Sequence, residues 1–138
     1  PVEDHHAWAP DIGEVTGTAL NFPIVADPDR KVAELYDMIH PGAGDTSTVR
    51  SVFIVDPDNQ LRLTLTYPKS VGRNFDEIIR EIDALQATDR DPIATPADWR
   101  PGERVIVSTG VTTADAEQRF ENVVELKPYL RYADAPSA

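Results

Sequence analysis

The chain reads as an α/β protein, and three observations carry that reading. Apolar runs of strand length occur at Phe22–Ala26 and Arg50–Val55, and an alternating stretch follows from Leu61 to Thr66. Apolar residues recur at helical spacing at Val32, Leu35, Tyr36 and Ile39, and again at Phe75, Ile78, Ile79, Ile82 and Leu85. Asp-Pro and Pro-Gly pairs punctuate the segments. Strands interleaved with amphipathic helices predict a sheet flanked by helices.

Taken in order, Val2 to about Thr16 places Val2, Trp8, Ile12 and Val15 on an imperfect helical face, with Pro10 limiting regular hydrogen bonding. Phe22 to Ala26 predicts a buried strand. Asp27 followed by Pro28 supplies a cap and a first-turn residue, so the next helix starts at once, buries one stripe, and stops at Pro41-Gly42. Arg50 to Val55 is apolar on both faces, as a strand between two helix layers should be. Leu61, Leu63 and Leu65 alternate with Arg62, Thr64 and Thr66, which predicts a half-exposed strand. Asp56-Pro57-Asp58-Asn59 turns one into the other as a hairpin. Asn74 caps the following helix and Glu77 can reach back to complete a capping box. The apolar stripe of that helix, from Phe75 to Leu85, is expected to cross the hairpin sheet. Asp89 to Gly102 is rich in Pro and charge. It marks a boundary between residues 1–90 and 91–138, the second part carrying a strand at Arg104–Ser108 and a helix from Ala114 to Phe120.

Composition limits function. At 138 residues with 41% hydrophobic content, the chain is in the range of one domain with a core. A formal net charge of -11 argues against nucleic acid and anionic membrane surfaces as partners, because phosphate binding needs clustered Lys and Arg. No run has the length of a membrane span or a signal-peptide core, so the cytoplasm is the default compartment. There is no cysteine, which excludes disulfides and thiolate metal sites within the chain. Glu3 and His6 lie one helical turn apart with His5 beside them, but without a defined fourth ligand they read as a solvated helix face. No cofactor and no metal are expected. Trp8, Trp99 and Tyr67 read as core or interface aromatics.

Two arginines stand out. Arg73 lies in Tyr67-Pro68-Lys69-Ser70-Val71-Gly72-Arg73-Asn74-Phe75-Asp76-Glu77, between a strand and a capped helix, where its polar neighbours have capping duties and it has none. Arg50 opens the strand Val52-Phe53-Ile54-Val55, and alternation puts it on the face of Val52 and Ile54. Two guanidinium groups at strand ends suit an anion or a polarised oxygen. The competing reading of Arg50 is an ion pair with one of the 24 acidic residues; that of Arg73 is a surface bond to Glu77 or Asp76.

These same residues carry a family resemblance. Thr48-Val49-Arg50-Ser51-Val52-Phe53-Ile54-Val55, the Tyr67–Glu77 stretch and Thr95-Pro96-Ala97-Asp98-Trp99 in order resemble the later two-thirds of a 1-Cys peroxiredoxin, within the AhpC/TSA-like thiol peroxidases. Val2-Glu3-Asp4-His5-His6-Ala7-Trp8 looks like the helix after the second core strand there, and Asn21–Asp27 like the next strand. The resemblance implies a thioredoxin-like fold with a small C-terminal dimerisation domain, a homodimer, and reduction of hydrogen peroxide and organic hydroperoxides at the expense of an external thiol. It also implies that Arg50 matches the arginine bonding the peroxidatic thiolate and peroxide oxygens, and Arg73 a second, supporting arginine. Asp58 lies where some members carry the acid proposed for a phospholipase activity; a turn aspartate is the commoner role.

The departure from the family is the nucleophile. Its Pro-x-x-x-Thr/Ser-x-x-Cys motif lies upstream of where this chain begins, and none of His5, His6 and His40 matches the motif histidine. The start at Pro1 without methionine suggests a processed or truncated polypeptide. Two core strands of the family topology would come from that upstream segment, between the Phe22–Ala26 strand and the hairpin, so an ordered protein is expected to need it. The chain by itself is expected to lack peroxidase activity. A non-catalytic thioredoxin-like module for dimerisation or interaction is the alternative.

Overall fold

The computed structural model of the protein describes residues 2–39 and 48–136. The chain forms two compact units, Pro1–Arg73 and Asn74–Ala138.

In the first unit, helix α1 (Val2–Thr16) runs through Pro10 and ends at Gly17. The left-handed φ of Gly17, 72°, lets its N–H donate to the Gly13 carbonyl at 2.9 Å. Trp8 and Val15 on this helix are exposed. The Phe22–Ala26 run is not a strand: it pairs with none of the described residues, and Phe22, Ile24 and Val25 are exposed. Apolar strand propensity cannot act without a neighbour to take the backbone N–H and C=O groups.

Asp27 does cap the next helix, its carboxylate accepting from the Val32 and Ala33 N–H groups at 3.0 and 2.8 Å. Helix α2 (Lys31–Leu35) nevertheless begins only after Arg30, which is left-handed, and has five residues. The expected apolar stripe is not its buried face. Val32, Leu35 and Tyr36 are exposed, and Ala33 is the buried residue. His40 and the Pro41-Gly42 stop lie outside the described residues.

Strands β1 (Arg50–Val55) and β2 (Leu61–Tyr67) form the expected antiparallel hairpin, with Arg50 opposite Tyr67, Val52 opposite Leu65 and a bulge at Ile54/Val55. The Asp56 carboxylate accepts from the N–H groups of Asp58 and Gln60 at 3.0 and 2.8 Å, and Asn59 takes a left-handed φ of 60°. Tyr36 meets Phe53 edge-on, with ring centroids 5.0 Å apart. Ala33 and Val49 are the buried apolar residues described in this unit, so its apolar surface is largely uncovered.

The second unit holds the larger core. Helix α3 (Phe75–Arg90) leads into β3 (Ile93–Ala94), β4 (Val105–Val107), α4 (Thr113–Arg119), β5 (Val124–Lys127) and β6 (Leu130–Ala133). The four strands form an antiparallel sheet in the order β3-β4-β6-β5. Ala84, Ala87, Ile93, Trp99, Val105, Val107, Ala116, Phe120 and Ala133 form one buried cluster. The buried side of α3 is therefore its Ala84/Ala87 side. Its expected apolar stripe lies elsewhere: Phe75 is 66% exposed, and Ile79 and Ile82 are exposed too. At the outer edge, β5 skips Leu126 in its register with β6, and every residue of β5 is exposed.

Candidate functional site

The two candidate arginines belong to one end of the hairpin. Arg50 and Tyr67 form its terminal rung, and on the next rung the hydroxyls of Ser51 and Thr66 are 3.1 Å apart. After Tyr67 the chain turns at Pro68, whose carbonyl accepts from the Val71 N–H at 2.9 Å, and then reaches Arg73. The antiparallel register thus brings residue 50 and the exit toward residue 73 to the same end of the ladder.

Neither guanidinium is buried. The expected placing of Arg50 on the apolar face of Val52 and Ile54 does not bury it: Ser51 to Ile54 are half-buried, but Arg50 is the exposed first residue of the strand. Alternation sets the face of a side chain and leaves its depth open, and at a strand end water can hydrate the charge that a core position would strip bare. Neither guanidinium makes a hydrogen bond or ion pair to any of the described residues. The rival structural roles are thus unfilled. Other arginines do pair: Arg62 with Asp56 at 3.3 Å, Arg90 with Asp91 at 3.0 Å and Arg104 with Asp134 at 3.7 Å.

Glu77, a rival partner for Arg73, is engaged by Arg80 instead. Arg80 Nε and Nη2 donate to the two Glu77 carboxylate oxygens at 2.6 and 2.8 Å, and Nη2 also donates to Glu81. The hydrogen bond from Arg80 holds the Glu77 carboxyl below its ordinary value, and the paired carboxylates push the Arg80 pKa upward. Asn74 accepts from the Glu77 N–H at 3.2 Å, as expected of the cap. The reciprocal half of the capping box is replaced by this ion pair.

Arg80 also reaches the Trp99 carbonyl at 3.4 Å. Trp99 is 3% exposed, and its indole N–H donates to the Glu103 carbonyl at 3.0 Å. The preceding Asp98 is left-handed, with φ 62°. The Thr95–Trp99 segment is therefore a turn with Ala97 and Asp98 exposed and Trp99 buried, fastened to α3 through the Trp99 carbonyl. The i,i+3 spacing of Glu77 and Arg80 was the signal for this link.

A second arginine with no role in the sequence reading is Arg131, 2% exposed in β6. Its Nη2 donates to the Ser108 carbonyl at 3.0 Å and Nη1 to Thr113 Oγ1 at 3.4 Å, while its Nε has no partner. Leu-Arg-Tyr-Ala offers no sign that its arginine faces inward.

The remaining candidates are dispersed. His5 is half-buried and His6 exposed on α1, and the described residues contain no group of three or more His, Asp or Glu that could hold a metal. Asp58 serves the turn, donating its N–H to Asp56 and accepting from Gln60 Nε2 at 3.3 Å through its carbonyl. Trp99 and the half-buried Tyr67 pack, whereas Trp8 is exposed. No helix among the described residues is long and apolar enough to cross a membrane.

Known proteins are similar to this chain in sequence and fold. Residues 1–64 match the AhpC/TSA family and residues 84–122 the C-terminal domain of 1-Cys peroxiredoxin. The chain is 49% identical over 137 residues to a 1-Cys peroxiredoxin of Dictyostelium discoideum, a match that covers 99% of this chain and 57% of that protein. Among solved structures, peroxiredoxin 6 of Arenicola marina, as a cysteine-to-serine mutant, superposes with a TM-score of 0.88 at 40% identity, covering 99% of this chain and 67% of that one. The yeast mitochondrial 1-Cys peroxiredoxin, described with a thiol resolving mechanism via glutathione and thioredoxin systems, gives 0.87 at 43% identity, covering 96% and 66%. The chain spans a little over half the length of the curated Dictyostelium relative.

Proposed function

Because the chain belongs to the 1-Cys peroxiredoxin family, with its thioredoxin-like α/β fold, we propose that it is the supporting portion of a thiol peroxidase acting on hydrogen peroxide and organic hydroperoxides. The observation that supports this most directly is that Arg50 and Arg73, whose guanidiniums have no partner among the described residues, lie at one end of the hairpin. The nucleophile is a cysteine thiolate supplied by an upstream segment, since this chain has none. The thiolate sulfur attacks one peroxide oxygen and takes it as sulfenic acid, while the O–O bond breaks and the other oxygen leaves as hydroxide or alkoxide. Arg50 donates to the thiolate and to the peroxide oxygens, which favours the ionised sulfur and steadies the charge moving onto the leaving oxygen. Arg73 supports it.

An external thiol then condenses with the sulfenic acid to a mixed disulfide with loss of water, and a second thiol exchanges with that disulfide to restore the cysteine. Glutathione and thioredoxin systems, which serve the yeast relative, are the proposed reductants. We assign residues 1–90 to the peroxidase domain and 91–138 to the C-terminal domain, and propose a cytoplasmic homodimer. The exposed apolar surface of the first unit supports the need for further polypeptide to complete it.

The test is peroxide consumption by the protein carrying its cysteine segment, with and without Arg50→Gln. The expected result is a loss of at least tenfold in the rate of thiol oxidation, with an upward shift in the thiol pKa. Unchanged rate and pKa would remove Arg50 from the mechanism. The absence of cysteine from the chain favours a second reading, a non-catalytic module. Intact mass of the native polypeptide decides between them by showing whether a cysteine segment is joined to Pro1.

A further inference from the structure

We infer that a cleft in the second unit binds a small apolar molecule carrying an ammonium group. The cleft has a volume of about 380 Å³, within the roughly 300–1,000 Å³ range of small-molecule sites. Ala87, Ile93, Trp99 and Val105 line it, and all four belong to the buried core, so the lining is fixed by packing that exists without a ligand. Its apolar character follows from satisfied polar groups. The Trp99 indole N–H is spent on the Glu103 carbonyl, leaving the ring to the cleft.

Charge at the rim selects the ligand class. Arg90 lines the rim but is paired with Asp91 at 3.0 Å. Asp83 lines it too, half-buried, with no hydrogen bond or ion pair among the described residues. Arg80 and Arg100 border a smaller cleft on another side of Asp83 without pairing with it, and Arg80 is already neutralised by Glu77 and Glu81. At the rim of the larger cleft the charge without a partner among the described residues is thus the Asp83 carboxylate; Arg100, also without one, lines only the smaller cleft. An aromatic or branched hydrocarbon body would replace water over Trp99 while its ammonium meets Asp83.

The test is titration of the full chain with phenethylamine, phenethyl alcohol and hydrocinnamate, followed by the indole N–H resonances of Trp8 and Trp99. Saturable movement of the Trp99 resonance, with the amine bound about fivefold more tightly than the alcohol and the carboxylate weakest, is expected for a half-exposed ion pair. Asp83→Asn should erase the advantage of the amine over the alcohol while both still move Trp99, and added salt should shrink that advantage in the unaltered chain. Equal binding of amine and alcohol, tighter binding of the carboxylate, or no saturable shift of Trp99 would each overturn the inference.

Discussion

Glu77 and Arg80 form a two-pronged ion pair one helical turn apart, at 2.6 and 2.8 Å, and Arg80 continues from that pair to the Trp99 carbonyl. One guanidinium therefore joins the first turns of α3 to the turn that buries the tryptophan. Its removal acts on both. Arg80→Ala should lower the stability of the protein by on the order of 1 kcal/mol, because the surface part of the pair is worth little and the part-buried hydrogen bond to the Trp99 carbonyl is worth more. Urea unfolding measures the difference, and Arg80→Lys should recover only part of it, since an ammonium cannot donate along both prongs.

The same pair sets an acid dependence. The folded pKa of Glu77 lies below its unfolded value, so its contribution is present above the ordinary glutamate range and is lost as pH falls through the lowered folded value. The gap in melting temperature between the unaltered protein and Glu77→Gln is expected to be widest near neutrality and to close in strong acid. A gap independent of pH would detach the effect from ionisation.

Asn74 accepts from the Glu77 N–H, and this bond satisfies an otherwise free donor of α3. Asn74→Ala should cost about 1 kcal/mol and Asn74→Ser much less, as read by chemical denaturation.

Trp99 fills the centre of the second unit. Trp99→Ala should destabilise that unit by about 3–5 kcal/mol through lost burial and the cavity left behind. Hydrogen exchange should show the loss in β4 and β6, whose Val105 and Ala133 pair on the same ladder.

Arg50 and Arg73, exposed as they are, should be replaceable without loss of folding. Arg50→Gln and Arg73→Gln are expected to change stability by less than about 0.5 kcal/mol each in thermal melts, as is usual for surface sites. A large loss from either would point to a structural role.

Local chemistry explains what could be read in the sequence. The hairpin carried its own turn, the alternation of Leu61 to Thr66 and a matching apolar strand; α3 carried its cap. Features that depend on what lies alongside could not be read in the same way. Phe22–Ala26 has strand composition and no strand partner among the described residues, while the exposed Phe75, Ile79 and Ile82 mark the more hydrophobic side of a helix that buries its alanines. The β5–β6 hairpin escaped notice because four-residue strands with Glu125, Lys127 and Arg131 in them lack a clear period. Arg50 showed the limit most plainly. Its face followed from alternation, whereas its exposure came from standing at the strand's first position.

The skipped Leu126 has a consequence for how the molecule behaves in a crowd. A kinked outermost strand, ending in Lys127 and followed at once by Pro128, presents a poor template to any incoming strand. At the opposite margin β3 offers only two residues. The four-stranded sheet is thereby closed to growth at both ends, a safeguard against fibrillar stacking.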